Sequence, residues 1–99
     1  MTVILKPSPN YNQRDGNQLP RFIILHYTGM KTLTDALERL CDPVSQVSAH
    51  YTVGRDGVVF RHVDIEKRAW HAGKSSWRGI KDMNSASIGI EIENPGHEH

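Results

Sequence analysis

The pattern of apolar and polar positions predicts a strand, a helix and further strands in that order. Residues 22–26 are apolar without interruption until His26, which is typical of a strand covered on both faces. Residues 32–41 repeat apolar side chains at i, i+3, i+4 and i+7, which predicts a short amphipathic helix. Thr32 or Thr34 is the expected N-cap of this helix.

The second half of the chain has the pattern of β-structure. Residues 47–53 and 58–63 are β-like runs joined by the turn sequence "GRDG", in which Asp-Gly favours the positive φ of a hairpin. Residues 72–86 are predicted to be a loop. Residues 87–93 then alternate, with isoleucines on one face and a glycine and two glutamates on the other.

This order predicts an α/β fold with a mixed central β-sheet and flanking helices. Residues 1–20, in which Pro, Asn, Gln, Asp and Gly are frequent, are expected to form an irregular arm, and residues 21–95 the core of the domain. No helix follows the last predicted strand. We therefore expect one apolar face of the sheet to lie bare.

Size and charge narrow the classes of function. A chain of 99 residues fits one domain, and its net charge of +1 gives no electrostatic case for a nucleic-acid partner or an anionic membrane. The sequence predicts no transmembrane segment, and its N-terminus lacks the apolar core of a signal peptide. We expect a cytoplasmic protein, or a periplasmic or envelope-associated one if a signal was removed. The single Cys41 fits a reducing compartment.

Several residues are candidates for chemistry, but local spacing alone predicts no metal motif. His26 ends a strand, where α/β sheets bind ligands, so its imidazole is either functional or hydrogen-bonded to backbone. Glu91 and Glu93 form either a cleft or an ordinary solvated strand face. Gly89 on the same face would let a ligand approach closely.

Two further segments contain imidazoles. The sequence "RAWHAG" suits the wall of a groove for a sugar or peptide, although a packed Trp70 beside a turn is an equal alternative. His97 and His99 lie in the chain terminus, where solvated side chains are expected.

Four segments in this order resemble the N-acetylmuramoyl-L-alanine amidase family, a zinc amidase fold shared by AmpD-like enzymes, phage T7-type lysozymes and peptidoglycan recognition proteins. The segments are "FIILHYTG", "VSAHYTVGRDG", "KRAWHAG" and "NSASIGIEIEN". The likeness covers about residues 20–95 and is greater to the AmpD and AmiD type, through "SAHY", "AWHAG" and "SIGIEIE".

The resemblance implies a Zn²⁺ cofactor and roles for two residues. His26 matches the first zinc ligand of the family, and Glu91 matches the acidic residue that acts as general base. The implied reaction is hydrolysis of the amide between N-acetylmuramic acid and L-alanine, in peptidoglycan or in anhydro-muropeptides.

The resemblance also implies residues on the substrate side. Trp70 and His71 match a segment beside the substrate groove. His50 matches a position that is not a zinc ligand, which assigns it to structure or to groove shape. Asn84 matches an asparagine ahead of the last strand that holds the loop.

The sequence departs from the family pattern at its end. In the family the other two zinc ligands come from the C-terminal half: a histidine in "GH-x-D", then an aspartate or cysteine after a lysine. The chain lacks these C-terminal segments, so we expect it to be the N-terminal part of the domain. The remaining two zinc ligands would then lie outside this chain. One option is that the C-terminal half is a separate chain. "PGHEH" directly follows the Glu91 strand, so His97 is not expected to be a ligand.

Three functions stay open at this point. The favoured one is zinc-dependent amidase activity in cell-wall degradation or muropeptide recycling, dependent on C-terminal residues outside the chain. The alternative is a non-catalytic module that binds muropeptide or peptidoglycan. Binding that survives Glu91→Gln and ignores a chelator would favour that module. A structural fragment with neither function would be molten or aggregating.

Overall fold

A computed structural model describes residues 2–72 and 82–94, and the description below is of those residues. Its strands are Val3–Leu5 (β1), Tyr11–Gln13 (β2), Phe22–Tyr27 (β3), Tyr51–Val53 (β4), Val59–Arg61 (β5), Lys67–Ala69 (β6) and Ser87–Ile92 (β7). Its α-helices are Leu33–Cys41 (α1) and Met83–Ala86 (α2), and Asp15–Asn17 forms a short 3-10 helix. Within this described part, no helix has the length and apolarity needed to cross a bilayer.

The main sheet has five strands in the order β1-β5-β4-β7-β3. β7 runs parallel to both of its neighbours, β3 and β4, while β4 and β5 form an antiparallel hairpin and β1 lies parallel to β5. β2 and β6 pair antiparallel as a separate two-stranded sheet. The predicted mixed α/β fold is therefore confirmed.

Helix α1 and the hairpin follow the sequence signals. The Thr32 side chain accepts a hydrogen bond from the backbone N–H of Asp35 at 3.1 Å, so Thr32 is the N-cap. Ala36 and Leu40 are buried on the predicted apolar stripe. In the hairpin turn Gly57 has φ +87°, a conformation that favours glycine.

The segment predicted to be an irregular arm, residues 1–20, contains β1 and β2 instead. Both are short strands that add to a neighbour through backbone hydrogen bonds, so they need no apolar alternation of their own. The pairing continues beyond β1, where the backbone N–H of Ser8 donates to the carbonyl of His62 at 3.0 Å. Strand β6 was not predicted either, because it too is a three-residue strand formed by pairing with a neighbour, β2.

The two faces of the sheet differ. The expectation that β3 is covered on both faces is wrong for the described residues: it is an edge strand whose Ile23, Leu25 and Tyr27 are 65%, 62% and 64% exposed. The expected bare apolar face is present here, and the register continues it onto Ile88 and Ile90 of β7. The opposite face carries His26 and Glu91.

The interior beneath the face that carries His26 and Glu91 contains many buried polar side chains. Arg14 is 2% exposed and donates to backbone carbonyls, through Nη1 to Asn84, Ser85 and Ser87 at 2.9–3.0 Å and through Nη2 to Ile65 at 2.8 Å. Its Nη2 also lies 3.2 Å from His50 Nε2. Each buried polar side-chain atom in the described residues has a hydrogen-bond partner. This network fixes the junction of α2 and β7 to the N-terminal arm.

Candidate active site

His26 and Glu91 meet across strands β3 and β7. The parallel register pairs their Cα atoms directly, and paired residues of adjacent strands project from the same face. Thr52 of β4 is paired with Glu91 on its other side. Both residues are the fifth of six in their strands, so the imidazole and the carboxylate lie near the carboxyl ends of two parallel strands.

A second imidazole contacts the first. His71 Nδ1 lies 3.1 Å from His26 Nε2, with the rings edge to face and their centroids 5.2 Å apart. On its other side His71 Nε2 lies 3.1 Å from Ser87 Oγ, which donates to the carbonyl of Met83 at 2.6 Å. Burial, and after it the charges of His26 and His50, lower the pKa of His71 to about 3. His71 is therefore neutral at pH 7.

Gly89 makes room for this imidazole. The sequence predicted that its missing side chain would admit a ligand, but the structure fills the space with His71: a Cβ at Gly89 would overlap the ring. The loop that carries the ring is held by Asn84, whose Oδ1 accepts from the backbone N–H groups of His71 and Ala72 at 3.0 and 2.8 Å. The position of His71 is therefore built into the sheet and the loop together.

Trp70 is half-buried beside His71. Its indole N–H donates to Asn12 Oδ1 at 3.0 Å, and its backbone N–H donates to Ser48 Oγ at 2.9 Å. Next to it the guanidinium of Arg68 pairs with the carboxylate of Asp82, with Nη2 and Oδ1 2.9 Å apart. These contacts make the segment around Trp70 a firm wall.

His50 is fully buried and contacts protein on both ring nitrogens. Its Nδ1 accepts from the backbone N–H of Gly89 at 3.0 Å, so its Nε2 carries the proton and donates to the carbonyl of Lys67 at 2.8 Å. Burial lowers its pKa, the bond to Lys67 opposes this, and Arg14 lowers it further. These contacts give His50 a place in the structure, and a part in substrate binding stays a prediction.

An open cavity of about 540 Å³ lies over this face of the sheet. Its wall includes His26, Met30, Ala36, Arg39, Leu40, Ser48, Arg68, Trp70, His71, Asn84 and Glu91. Burial raises the pKa of Glu91, while Arg39 of α1 lowers it. Burial also lowers the pKa of His26. The cavity thus combines an aromatic wall, a neutral imidazole pair and a carboxylate suited to accept a proton.

Comparison with known proteins gives this arrangement a family. The family profile Amidase_2, described as N-acetylmuramoyl-L-alanine amidase, matches residues 15–99. The chain belongs to the N-acetylmuramoyl-L-alanine amidase family. It is 33% identical over 104 residues to the 1,6-anhydro-N-acetylmuramyl-L-alanine amidase AmpD of Citrobacter freundii, with 88% of this chain and 56% of AmpD covered. It is 38% identical over 84 residues to the amidase AmiD of Escherichia coli K12, covering 77% and 29%.

Solved structures of this amidase family share the fold. A selenomethionine derivative of AmpD matches with a TM-score of 0.82 at 31% identity, covering 93% of this chain and 61% of that one. AmiD from E. coli, in complex with the substrate anhydro-N-acetylmuramic acid-L-Ala-D-γ-Glu-L-Lys, matches with a TM-score of 0.65 at 34% identity, covering 88% and 40%. The chain spans little more than half the length of the AmpD relatives.

The described residues fit part of a zinc site. Neutral imidazole is a good zinc ligand, and His26 presents one in the cavity beside the carboxylate of Glu91. No group of three or more His, Cys, Asp or Glu side chains that could hold a metal lies within residues 2–72 and 82–94. The assignment of His26 as one of three zinc ligands stays a prediction. His97 and His99 fall outside the described residues.

Sequence reasoning missed three side chains around this site. Ser87 lies on the same face of its strand as Gly89 and Glu91, so the alternation in "SIGIEIE" was a signal that could have identified it. Arg39 occupies an exposed position of α1 and was indistinguishable from a solvated charge. Arg14 comes from the arm, where nothing in the local pattern predicts burial.

Proposed function

We propose that this chain forms the N-terminal, substrate-facing part of a zinc-dependent amidase that hydrolyses the bond between N-acetylmuramic acid and L-alanine in muropeptides or peptidoglycan. The observation that carries the proposal is the direct pairing of His26 with Glu91 on one face of the sheet, inside an open cavity. His26 would supply one zinc ligand. The other two would come from residues outside this chain.

The residues of the chain have separate tasks in this reaction. Glu91, whose pKa burial raises, accepts the proton of the attacking water and passes it to the leaving amine of L-alanine. The C–N bond breaks as water adds, which leaves a carboxylate on the lactyl group. Zinc, when bound, is a Lewis acid that polarises the scissile carbonyl and lowers the pKa of water. Arg39 lies near Glu91 and favours its charged form between turnovers.

The substrate side of the cavity supports the same proposal. Trp70 offers an aromatic surface of the kind that packs against a sugar ring, and hydrogen bonds through its ring and backbone fix it in place. Asn84 holds the adjoining loop, and His71 fills the floor above Gly89. AmiD, a relative with this fold, was solved with an anhydro-muropeptide substrate. We infer that a ligand of this class occupies the cavity here.

The experiment that tests this function completes the domain. A hybrid joins this chain to the C-terminal region of C. freundii AmpD that lies beyond the matched 56%. We expect the hybrid to bind zinc and to release peptide from an anhydro-muropeptide, and His26→Ala to abolish both, by elemental analysis and chromatography. Glu38→Ala is the control, because Glu38 is exposed on α1 and does not line the cavity. A hybrid in which His26→Ala keeps its zinc and its activity would refute the proposal.

A second candidate is a module that binds muropeptide without cleaving it. The observation in its favour is that residues of this chain form the cavity wall by themselves. Within the described residues, no three potential metal ligands lie together. This function predicts that the 99-residue chain alone binds an anhydro-muropeptide, that Glu91→Gln leaves the affinity unchanged, and that a chelator has no effect. Isothermal titration measures this binding, and the absence of hydrolysis by the unsubstituted, zinc-loaded hybrid separates this function from the amidase.

A further inference from the structure

We infer that His71 is a positioning residue, which fixes the tautomer and the ring orientation of His26 and leaves His26 Nδ1 as the nitrogen with a free lone pair. The inference rests on the proposed role of His26, since it names the atom that would meet the metal. His71 contacts His26 directly, and it is held in place by Ser87 and Asn84.

The protons of this cluster can be assigned from hydrogen-bond chemistry. The Met83 carbonyl can only accept, so the single hydroxyl proton of Ser87 goes to it at 2.6 Å. Ser87 Oγ must then accept from His71, whose Nε2 lies 3.1 Å away. A neutral imidazole has one N–H, so His71 Nδ1 is an acceptor.

The assignment passes from His71 to His26. Because His71 Nδ1 accepts, the proton between the two rings belongs to His26 Nε2, across a distance of 3.1 Å. A neutral His26 then has an unprotonated Nδ1, and within the described residues no hydrogen bond reaches that atom. The backbone carbonyl of Met83 therefore determines, through Ser87 and His71, which ring nitrogen of His26 is protonated.

His71 can impose this order because its ring cannot turn away. Its backbone N–H is held by Asn84 Oδ1 at 3.0 Å, and its ring lies in the space that a Cβ at Gly89 would occupy. Imidazole ligands of metals commonly donate their second ring N–H to an outer partner that fixes tautomer and orientation. Here that partner is the neutral imidazole of His71, which in turn donates from Nε2 to Ser87 Oγ.

The test is the tautomer of His26 in the metal-free 99-residue chain, labelled with ¹⁵N-histidine. We expect long-range ¹H–¹⁵N correlations to show that His26 Nε2 is protonated and Nδ1 is not. The Nε2–H proton should exchange slowly with water. In His71→Phe, which keeps a ring over Gly89 but removes the acceptor, that proton should exchange about tenfold faster. In His71→Asn, whose amide oxygen replaces Nδ1 as an acceptor, protection should return.

The matched control is His62→Phe. His62 is also buried between two polar partners, Thr52 Oγ1 at 2.7 Å and the carbonyl of Lys6 at 2.8 Å, but it does not contact His26. Its substitution should leave the His26 signals unchanged. A protonated Nδ1 in the unsubstituted chain would overturn the inference, and so would equal protection in His71→Phe. If His71→Phe does not fold, the tautomer of the unsubstituted chain decides alone.

The measurement separates this inference from the proposed function. It is made without metal, so a failed tautomer assignment leaves the zinc content of the hybrid untouched. Loss of zinc binding or hydrolysis in the hybrid would refute the function and not the tautomer. A separate measurement adds zinc to the labelled hybrid. Displacement of the His26 Nε2 proton there would also overturn the inference, because it would place Nε2 and not Nδ1 on the metal.

Discussion

His26 and Glu91 are 65 positions apart in the sequence and directly paired in the sheet, as neighbours on parallel strands β3 and β7. Their relative position is fixed by a continuous ladder of six residue pairs, which is stiffer than a loop. An imidazole and a carboxylate held in this way can keep one geometry while substrate enters and leaves. The functional argument and the predictions below depend on this pairing.

Glu91→Gln should lower hydrolysis by the hybrid by about 10²- to 10⁴-fold, because an amide cannot accept the proton of water. Muropeptide binding should be retained, since the change preserves the size of the side chain. Glu93→Gln is the matched control. Glu93 lies two residues after Glu91, its carboxylate pairs with Arg55 at 3.6 Å, and it does not line the cavity. Comparable losses in initial rate for both variants would contradict the role given to Glu91.

Arg14→Met should destabilise the chain by about 3 kcal/mol or more, because buried carbonyls would lose a charged donor. Those carbonyls belong to Ile65, Asn84, Ser85 and Ser87. Urea denaturation followed by circular dichroism measures the change. Arg55→Met is the control: its side chain is 63% exposed, so its ion pair contributes at most about 1 kcal/mol. Equal midpoints for the two variants would show that the Arg14 network does not support the fold.

Stability should fall on acidification because two buried histidines are neutral in the folded chain. Burial is the main cause that lowers the pKa of His50 and His62 below the ordinary 6.5. The unfolded chain therefore binds more protons than the folded chain below about pH 6.5, and stability declines as the pH falls further. Urea titrations from about pH 7.5 to 5 measure the slope, which His62→Asn should reduce. A free energy of unfolding that stays constant over this range would contradict the assignment.

Gly89→Ala should displace the His71 ring, since its Cβ would overlap that ring. We expect a loss of about 1–3 kcal/mol of stability, typical of overpacking, and weakened protection of the His26 Nε2 proton. Gly54→Ala tests a strand-end glycine elsewhere: there the nearest atom, 3.0 Å from the new Cβ, is a carboxylate oxygen of the flexible Asp56 side chain. A crystal structure of Gly89→Ala with an unmoved imidazole would rule out this account of the glycine.

Much of this architecture could be predicted because its signals are local. The stripe of α1, its Thr32 cap, the Asp-Gly turn and the alternation of β7 each come from neighbouring residues in the chain. The apolar run at residues 22–26 was misleading in one respect: composition shows that a strand is apolar on both faces, but not which face another element covers. Ile23 and Leu25 are exposed in consequence.

The parts that could not be predicted depend on long-range contacts. β1, β2 and β6 are three-residue strands that exist because a partner strand supplies their hydrogen bonds. Arg14 is buried only because carbonyls from distant segments converge on it. Glu91 and His26 were identifiable as candidates, but their pairing depends on sheet order, which periodicity does not contain. Their roles as base and ligand stay predictions.

Mass spectrometry of the products formed from anhydro-N-acetylmuramic acid-L-Ala-D-γ-Glu-L-Lys by the hybrid tests the central claim most directly. The account predicts free anhydro-N-acetylmuramic acid and the intact peptide beginning at L-alanine, with neither formed by the Glu91→Gln hybrid. Uncleaved substrate in the presence of a folded, zinc-loaded hybrid, or cleavage at a bond within the peptide, would contradict it.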